Sequence, residues 1–414
     1  VKLYDSLSRS VQTFVPDREE IGVYVCGITP YDTTHLGHAF TYTTVDVLIR
    51  YLEYTGHKVR YVQNVTDIDD DILRKAKEEG TDWLDLGNRW TAHYIRDMMA
   101  LNVRPPDHFP RATDVITEIV ASVEALLETG VAYHVEGSVY FDLNAWPDYG
   151  KLSCLTRPEM LPIANERGNM PDDPNKRDPL DFVLWQAQKP GEPAWESPWG
   201  LGRPGWHIEC STMASHYLDV PIHIHCGGAD LAFPHHESEL AQFEPVRPGE
   251  AFVNLWLHVA MVRYEGEKMS KSLGNLVMVN DLLQRWSPDA LRLTMAMHHY
   301  RSPWSYEIAE LHNAARLVEK LTQAVTVNIR EGEFIDPAPH ERAFQAAMEQ
   351  DLDTAGALSA LENLADAILQ GGDVAEAQGA LRRAGSVFGL RLDDEEPETR
   401  VQAGWKAHLQ RFPI

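Results

Sequence analysis

Between Val23 and Thr41 the chain sets a thiol and two imidazoles into a segment shaped to meet phosphate. Val23 and Val25 mark a short buried strand that ends at Cys26-Gly27. A turn-forming stretch follows, and His35-Leu36-Gly37-His38 opens an apolar-periodic helix running to about Gly56. Strand, loop and helix in that order present a helix N-terminus to an anion. Alone, histidines at a helix start are more often caps or surface residues. Far downstream, Lys268-Met269-Ser270-Lys271-Ser272 stands in a loop bounded by Glu265-Gly266 and Gly274-Asn275.

A second chemistry needs sulfur, imidazole and carboxylate together. Cys26, Cys210, His235 and Glu239 are expected at three strand-to-helix turns of one sheet, converging at its carboxyl edge. All are ordinary zinc donors. No Cys-x-x-Cys pair occurs among them, so the residues alone are better described as two buried structural thiols and a helix-start histidine. Cys226-Gly227-Gly228-Ala229-Asp230 adds close backbone approach at a strand end and a carboxylate placed for a ribose diol. Thr66 stands at another strand's carboxyl end, where open α/β sheets bind ligands.

The elements that must position these residues read as an α/β fold. Residues 58–64 form a second strand, and Asp67 to Asp71 suit a helix N-terminus better than a metal site. Residues 112–130 predict an amphipathic helix closed by Gly130, and Glu136-Gly137 predicts a hairpin. Residues 145–180 carry no sustained period and read as a connector, with Glu166-Arg167-Gly168-Asn169 as a cover or a solvated loop. His235 and Glu239, four apart, are expected on one helix face. Beyond 300, residues 306–325, 341–370 and 373–388 predict helices with a core stripe such as Leu358, Leu361, Leu364 and Ile368.

Bulk properties narrow the classes. Lys and Arg number 37 against 62 Asp and Glu, a net charge of −25, which argues against a large nucleic-acid footprint. Four cysteines in 414 residues do not make a disulfide framework. The first residues lack a signal h-region, and no apolar run spans a bilayer. A cytoplasmic monomer is expected, with Cys154 and Cys226 as ordinary thiols.

His-Leu-Gly-His and Lys-Met-Ser-Lys-Ser resemble the signature pair of class I aminoacyl-tRNA synthetases. With Asn64-Val65-Thr66-Asp67, Gly205-Trp206-His207-Ile208-Glu209-Cys210 and Phe233-Pro234-His235-His236-Glu237, residues 1–330 resemble the cysteine-activating branch. Its two well-known members are cysteinyl-tRNA synthetase and the mycothiol-pathway ligase, which joins cysteine to glucosaminyl-inositol. The resemblance implies a Rossmann-like catalytic domain over 1–255 with a connective insertion at about 120–195. A linking domain over 256–300 and a helical domain over 301–414 would follow.

It also implies roles. Cys26, Cys210, His235 and Glu239 match a zinc site for the substrate thiolate, which separates cysteine from serine where pocket shape cannot. Thr29, Thr66 and Trp206 match cysteine contacts. His35, His38, Lys268 and Lys271 match the groups that neutralise phosphate as the carboxylate attacks. Thr41, Gly228, Ala229, Asp230, Val262, Ser270 and Ser272 match adenylate contacts, with ATP and Mg2+ as co-substrates. Cys226 stands where the family usually has glycine.

The two members divide the remaining features. The spelling of residues 27–39, Glu166-Arg167-Gly168, Asp351-Leu352-Asp353-Thr354 and the lack of an evident anticodon-reading module after Phe388-Gly389-Leu390 resemble the mycothiol-type ligase. Glu239 and Lys268 to Asn275 resemble the synthetase. Transfer of cysteine to an amino sugar is therefore expected first. Charging of tRNA, and a non-catalytic cysteine- or nucleotide-binding paralogue, are the alternatives.

Overall fold

The chain opens with a hairpin, β1 (Lys2–Asp5) and β2 (Ser10–Thr13), before β3 (Glu20–Ile28). α1 (Leu36–Tyr54), β4 (Lys58–Val65), α2 (Asp70–Glu79), α3 (Trp83–Ala100) and α4 (Ile116–Thr129) follow. An antiparallel sheet comes next: β5 (Ala132–Val135), β6 (Ser138–Phe141), then α5 (Arg157–Glu166), β7 (Phe182–Ala187) and β8 (Gly202–Pro204). α6 (Trp206–Tyr217), β9 (Ile222–Gly228), α7 (Glu237–Phe243) and β10 (Val253–Val259) lead to a small sheet of β11 (Val262–Tyr264), β12 (Glu267–Lys268) and β13 (Trp304–Tyr306). Between its strands lie α8 (Val279–Leu283) and α9 (Pro288–Ala296). The rest is helical: α10 (Ile308–Thr326), α11 (Ala338–Met348), α12 (Thr354–Gln370), α13 (Ala375–Val387) and α14 (Arg400–Leu409). This computed structural model describes residues 1–32, 34–269, 274–328, 332–392 and 400–412, without the side chains of Lys268 and Arg400.

The central sheet runs β10-β9-β3-β4 with every pair parallel. A parallel sheet must be covered on both faces, and its residues alternate between two cores. Val23, Val25, Ile224, Leu255 and Leu257 point into one core with α1 and the C-terminal helices. Tyr24, Ile222 and Trp256 point into the other, beneath α4, α6 and α7. The first core is continuous from α1 into α9–α13, and buried Asp46 of α1 pairs with buried Arg292 of α9 at 2.5 Å. No helix among the described residues is long and apolar enough to cross a membrane.

Three expectations need correction. The connector over 145–180 contains α5, whose Thr156–Glu159 capping box and early Pro158 are proper start signals; the internal Pro162 hid its period. The stripe over 341–370 is two helices, α11 and α12, because Asp351 and Leu352 take left-handed φ values of 57° and 52°. Cys210 does not arise from the parallel sheet: α6 follows β8, a strand of the antiparallel sheet. Asp69 caps α2 by accepting from the amide of Asp71, as an acidic helix start should.

Candidate functional site

At the carboxyl end of the parallel sheet lies a cleft of about 690 Å³. The ladder between β3 and β4 is irregular between Val25 and Ile28, so Cys26-Gly27 leaves the regular pleat there. Gly27 could be nothing larger, because a Cβ would sit 1.6 Å from the carbonyl oxygen of Asn64. Its amide donates to Asn64 Oδ1 at 2.8 Å, locking the two strand ends together.

The cleft has two unlike ends. At one, Cys26, Cys210, His235 and Glu239 are all buried and offer donor atoms within 4.8 Å of one another. Glu239 Oε1 lies 3.2 Å from His235 Nε2 and accepts from Cys26 Sγ at 3.4 Å. Donors around one tetrahedral zinc would be about 3.3–3.8 Å apart, so this set fits such an ion. A second donor set, Cys26, His225, His236 and Glu239, overlaps the first. His225 Nε2 meets Glu239 Oε2 at 2.9 Å. His236 Nε2 lies 3.3 Å from Cys26 Sγ, while its Nδ1 joins His258 at 2.8 Å and His258 joins Ser6 at 2.6 Å. Hydrogen-bonded partners of this kind orient metal donors.

Burial dominates the electrostatics here. It pushes the Cys26 thiol up, reinforced by Cys210 and Glu239, and raises the Glu239 carboxyl. The same burial drives His235 and His236 down, and His207, His225 and His258 to about 3. Cys26, Glu239 and the imidazoles are thus held towards their neutral forms. A bound cation reverses that preference for thiol and carboxyl and finds the imidazoles already neutral.

At the other end, α1 points its N-terminus into the cleft with no acidic residue in its first turn. His35 caps it: Nδ1 accepts from the amides of Gly37 at 3.1 Å and His38 at 3.4 Å. In its neutral form the ring therefore carries its proton on Nε2. The His38 ring stacks on it at 3.8 Å. The segment after the downstream signature is tied to this turn, since Leu36 N donates to Val277 O at 2.8 Å and Val279 N to Thr34 O at 3.1 Å.

Thr29, His35, His38, Thr41, Thr66, Trp206, Gly228, Asp230 and Val262 all line this one cleft, as do Cys26, Cys210 and His235. Glu239 is fully buried behind the wall, and Ala229 sits in the turn between two lining residues. The Trp206 ring stacks on His235 at 4.4 Å, narrowing the sulfur end. Lys268 is placed by its backbone, in β12 against Arg263 of β11. Ser270, Lys271 and Ser272 lie outside the described residues.

Several residues here had no role in the sequence. Arg167, the C-cap of α5, reaches Asp230 with Nη1 at 3.3 Å from Oδ2, bringing the insertion onto the nucleotide end. His225, His236 and His258 surround the thiols. Their one signal was the alternation in Ile222-His223-Ile224-His225, which puts imidazoles on one face of a buried strand.

Residues 13–316 match the family described as tRNA synthetases class I (C) catalytic domain. The cysteine–tRNA ligase of Dehalococcoides mccartyi is 42% identical over 412 residues, covering 97% of this chain and 89% of the relative. The L-cysteine:1D-myo-inositol 2-amino-2-deoxy-alpha-D-glucopyranoside ligase of Nocardiopsis dassonvillei is 43% identical over 398 residues, covering 95% of this chain and 96% of the relative. Among solved structures, Mycobacterium tuberculosis methionyl-tRNA synthetase in complex with methionyl-adenylate aligns with a TM-score of 0.64. It is 17% identical, covers 90% of this chain and 89% of its own, and is a likeness of fold.

Proposed function

From the premise that this chain belongs to the class I (C) tRNA-synthetase catalytic-domain family, we propose that it is an ATP-dependent cysteine ligase whose acceptor is a small amine. An amino sugar such as glucosaminyl-inositol is the acceptor this reading names. The cysteine carboxylate oxygen attacks the α-phosphorus of ATP, pyrophosphate leaves, and cysteinyl-adenylate forms. The acceptor amine then attacks the carbonyl carbon and AMP leaves.

The helix N-terminus with His35 Nε2 and His38 stabilises the charge that develops on the phosphates, and Lys268 and Lys271 complete that set. Gly228 lets the nucleotide approach the backbone and Asp230 accepts from the ribose, beside Thr41, Ala229 and Val262; Ser270 and Ser272 add adenylate contacts. Mg2+ accompanies ATP. Thr29, Thr66 and Trp206 hold the cysteine. A zinc ion on Cys26, Cys210, His235 and Glu239 would supply the soft acid that separates thiol from hydroxyl.

The observation that carries the acceptor is the charge of the cleft wall. Asp32, Asp69, Asp70, Asp71, Glu166 and Asp173 line it against Arg167, Lys176 and Arg203, of which Arg203 pairs with Asp70, a net acidic setting that favours a small cationic amine over a polyanion. Arg167 on Asp230 supports the same reading, because it brings the ligase-like insertion into the site. One observation favours tRNA instead: Glu239, the carboxylate expected of the synthetase, is seated among the donors. A division at 1–255, 256–300 and 301–414 and a reduced cytoplasmic setting, in keeping with four free cysteines, belong to this proposal. AMP formation from ATP and cysteine, stimulated by glucosaminyl-inositol and not by cognate tRNA, is the expected result. Stimulation by tRNA alone would overturn the acceptor.

A further inference from the structure

Buried carboxylates in this protein have partners. Asp46 has Arg50 and Arg292, Glu237 accepts from the amides of Leu152 and Ser153, and Glu239 meets two imidazoles. Glu209 is the exception: it is fully buried, and among the described residues no cation or backbone amide meets its oxygens, only the hydroxyl of Thr66. Its titratable neighbours are Cys210, Asp69 and Asp67, none of them a cation. An anion left so is costly unless a cation joins it.

The hydrogen-bond polarity around Thr66 is fixed from the backbone outward. Asn64 Oδ1 accepts from the Gly27 amide, so the Asn64 amide faces Thr66 and donates to its oxygen at 3.3 Å. Thr66 must then donate elsewhere, and the carboxylate of Glu209 is the acceptor next to it. Thr66 and Cys210 line the cleft, whereas Glu209 stands one layer back. In cysteine three bonds separate nitrogen from sulfur, so an ammonium group must lie close to whatever holds the sulfur. Cys210, in the donor set, is the next residue in the chain.

We propose that Glu209 is a positioning residue for the amino group of the substrate. It turns the Thr66 hydroxyl so that the remaining oxygen lone pair faces the cleft, and it supplies the negative charge that an α-ammonium ion requires. This rests on cysteine activation and adds the element that reads the amine. Thiols without an amine are refused the counter-charge, and amines without a thiol lose the sulfur contact.

The test uses the metal-loaded full chain, cysteine-dependent ATP–pyrophosphate exchange, and 3-mercaptopropionate, which keeps thiol and carboxylate but lacks the amine, as inhibitor. Glu209→Gln is expected to raise KM for cysteine about 10- to 100-fold, the scale of a hydrogen bond to a charged group. The inhibition constant of 3-mercaptopropionate and the metal content should stay within about twofold. Glu209→Asp, which keeps the charge, should recover part of the KM and serves alone if the glutamine variant does not fold. An unchanged KM for cysteine, or an equal loss for both compounds, overturns the role of Glu209. Absence of exchange in the unmutated protein would instead overturn cysteine activation.

Discussion

The sulfur end and the nucleotide end of the cleft are built from different materials. At the sulfur end, recognition is carried by side chains: two thiols, three imidazoles and a carboxylate, fully or almost fully buried and bonded to one another. At the end proposed for the nucleotide the wall is shaped by backbone, with a helix start capped by His35 and a strand end opened by Gly227 and Gly228. A side-chain site depends on the identity of each atom. A backbone site depends on shape, and tolerates exchange of groups that leave the shape intact.

That contrast can be broken or sharpened by mutation. Cys210→Ser should be the most damaging, removing metal and cutting cysteine-dependent pyrophosphate exchange by about a thousandfold, near 4 kcal/mol. Metal analysis beside the exchange assay checks it, and retention of both would show that the donors are structural. His35→Ala removes a helix cap and a phosphate donor together, and about a hundredfold loss in kcat is expected, with metal content intact. Gly228→Ala sets a Cβ 2.5 Å from Asp230 Oδ1; a rise in KM for ATP of about tenfold, or 1.4 kcal/mol, should leave KM for cysteine unchanged. A change in cysteine instead would mean that the two ends are not separable.

The smallest effect concerns Asp97, beside Thr34 just before the cap. Burial raises its carboxyl from 3.8 to about 6, so the folded chain holds this proton more tightly than the unfolded one. Its stabilising contribution is complete below the unfolded value and is lost as pH rises through about 6. Asp97→Asn cannot ionise, so between pH 4 and pH 8 its stability relative to the parent should improve by about 1–3 kcal/mol in urea unfolding. A pH-independent difference would show that Asp97 is solvated.

The backbone-built end was the more legible in the sequence. His35-Leu36-Gly37-His38 and Gly227-Gly228-Ala229-Asp230 are contiguous, so their geometry follows from one turn each. The structure brings together the four residues proposed to hold metal, but the route to Cys210 was misread, because sequence adjacency to a strand does not say which sheet that strand joins. The histidines behind the thiols and the orphan carboxylate of Glu209 were invisible for a related reason. Their meaning comes from partners 14 to 252 positions away. Arg167 was noticed as part of a covering loop and of the ligase-like spelling Glu166-Arg167-Gly168, but its helix and its pairing with Asp230 were not, since Pro162 disguised the helix that it caps.

The core that runs unbroken from α1 through α9 to α13, pinned by Asp46 and Arg292, has a consequence for how the protein comes apart. One face of the parallel sheet is covered by α1, and helices from the far end of the chain pack on α1 in turn. Heat should therefore melt sheet and helices in one calorimetric peak, and a protease that nicks the helices should loosen the sheet along with them.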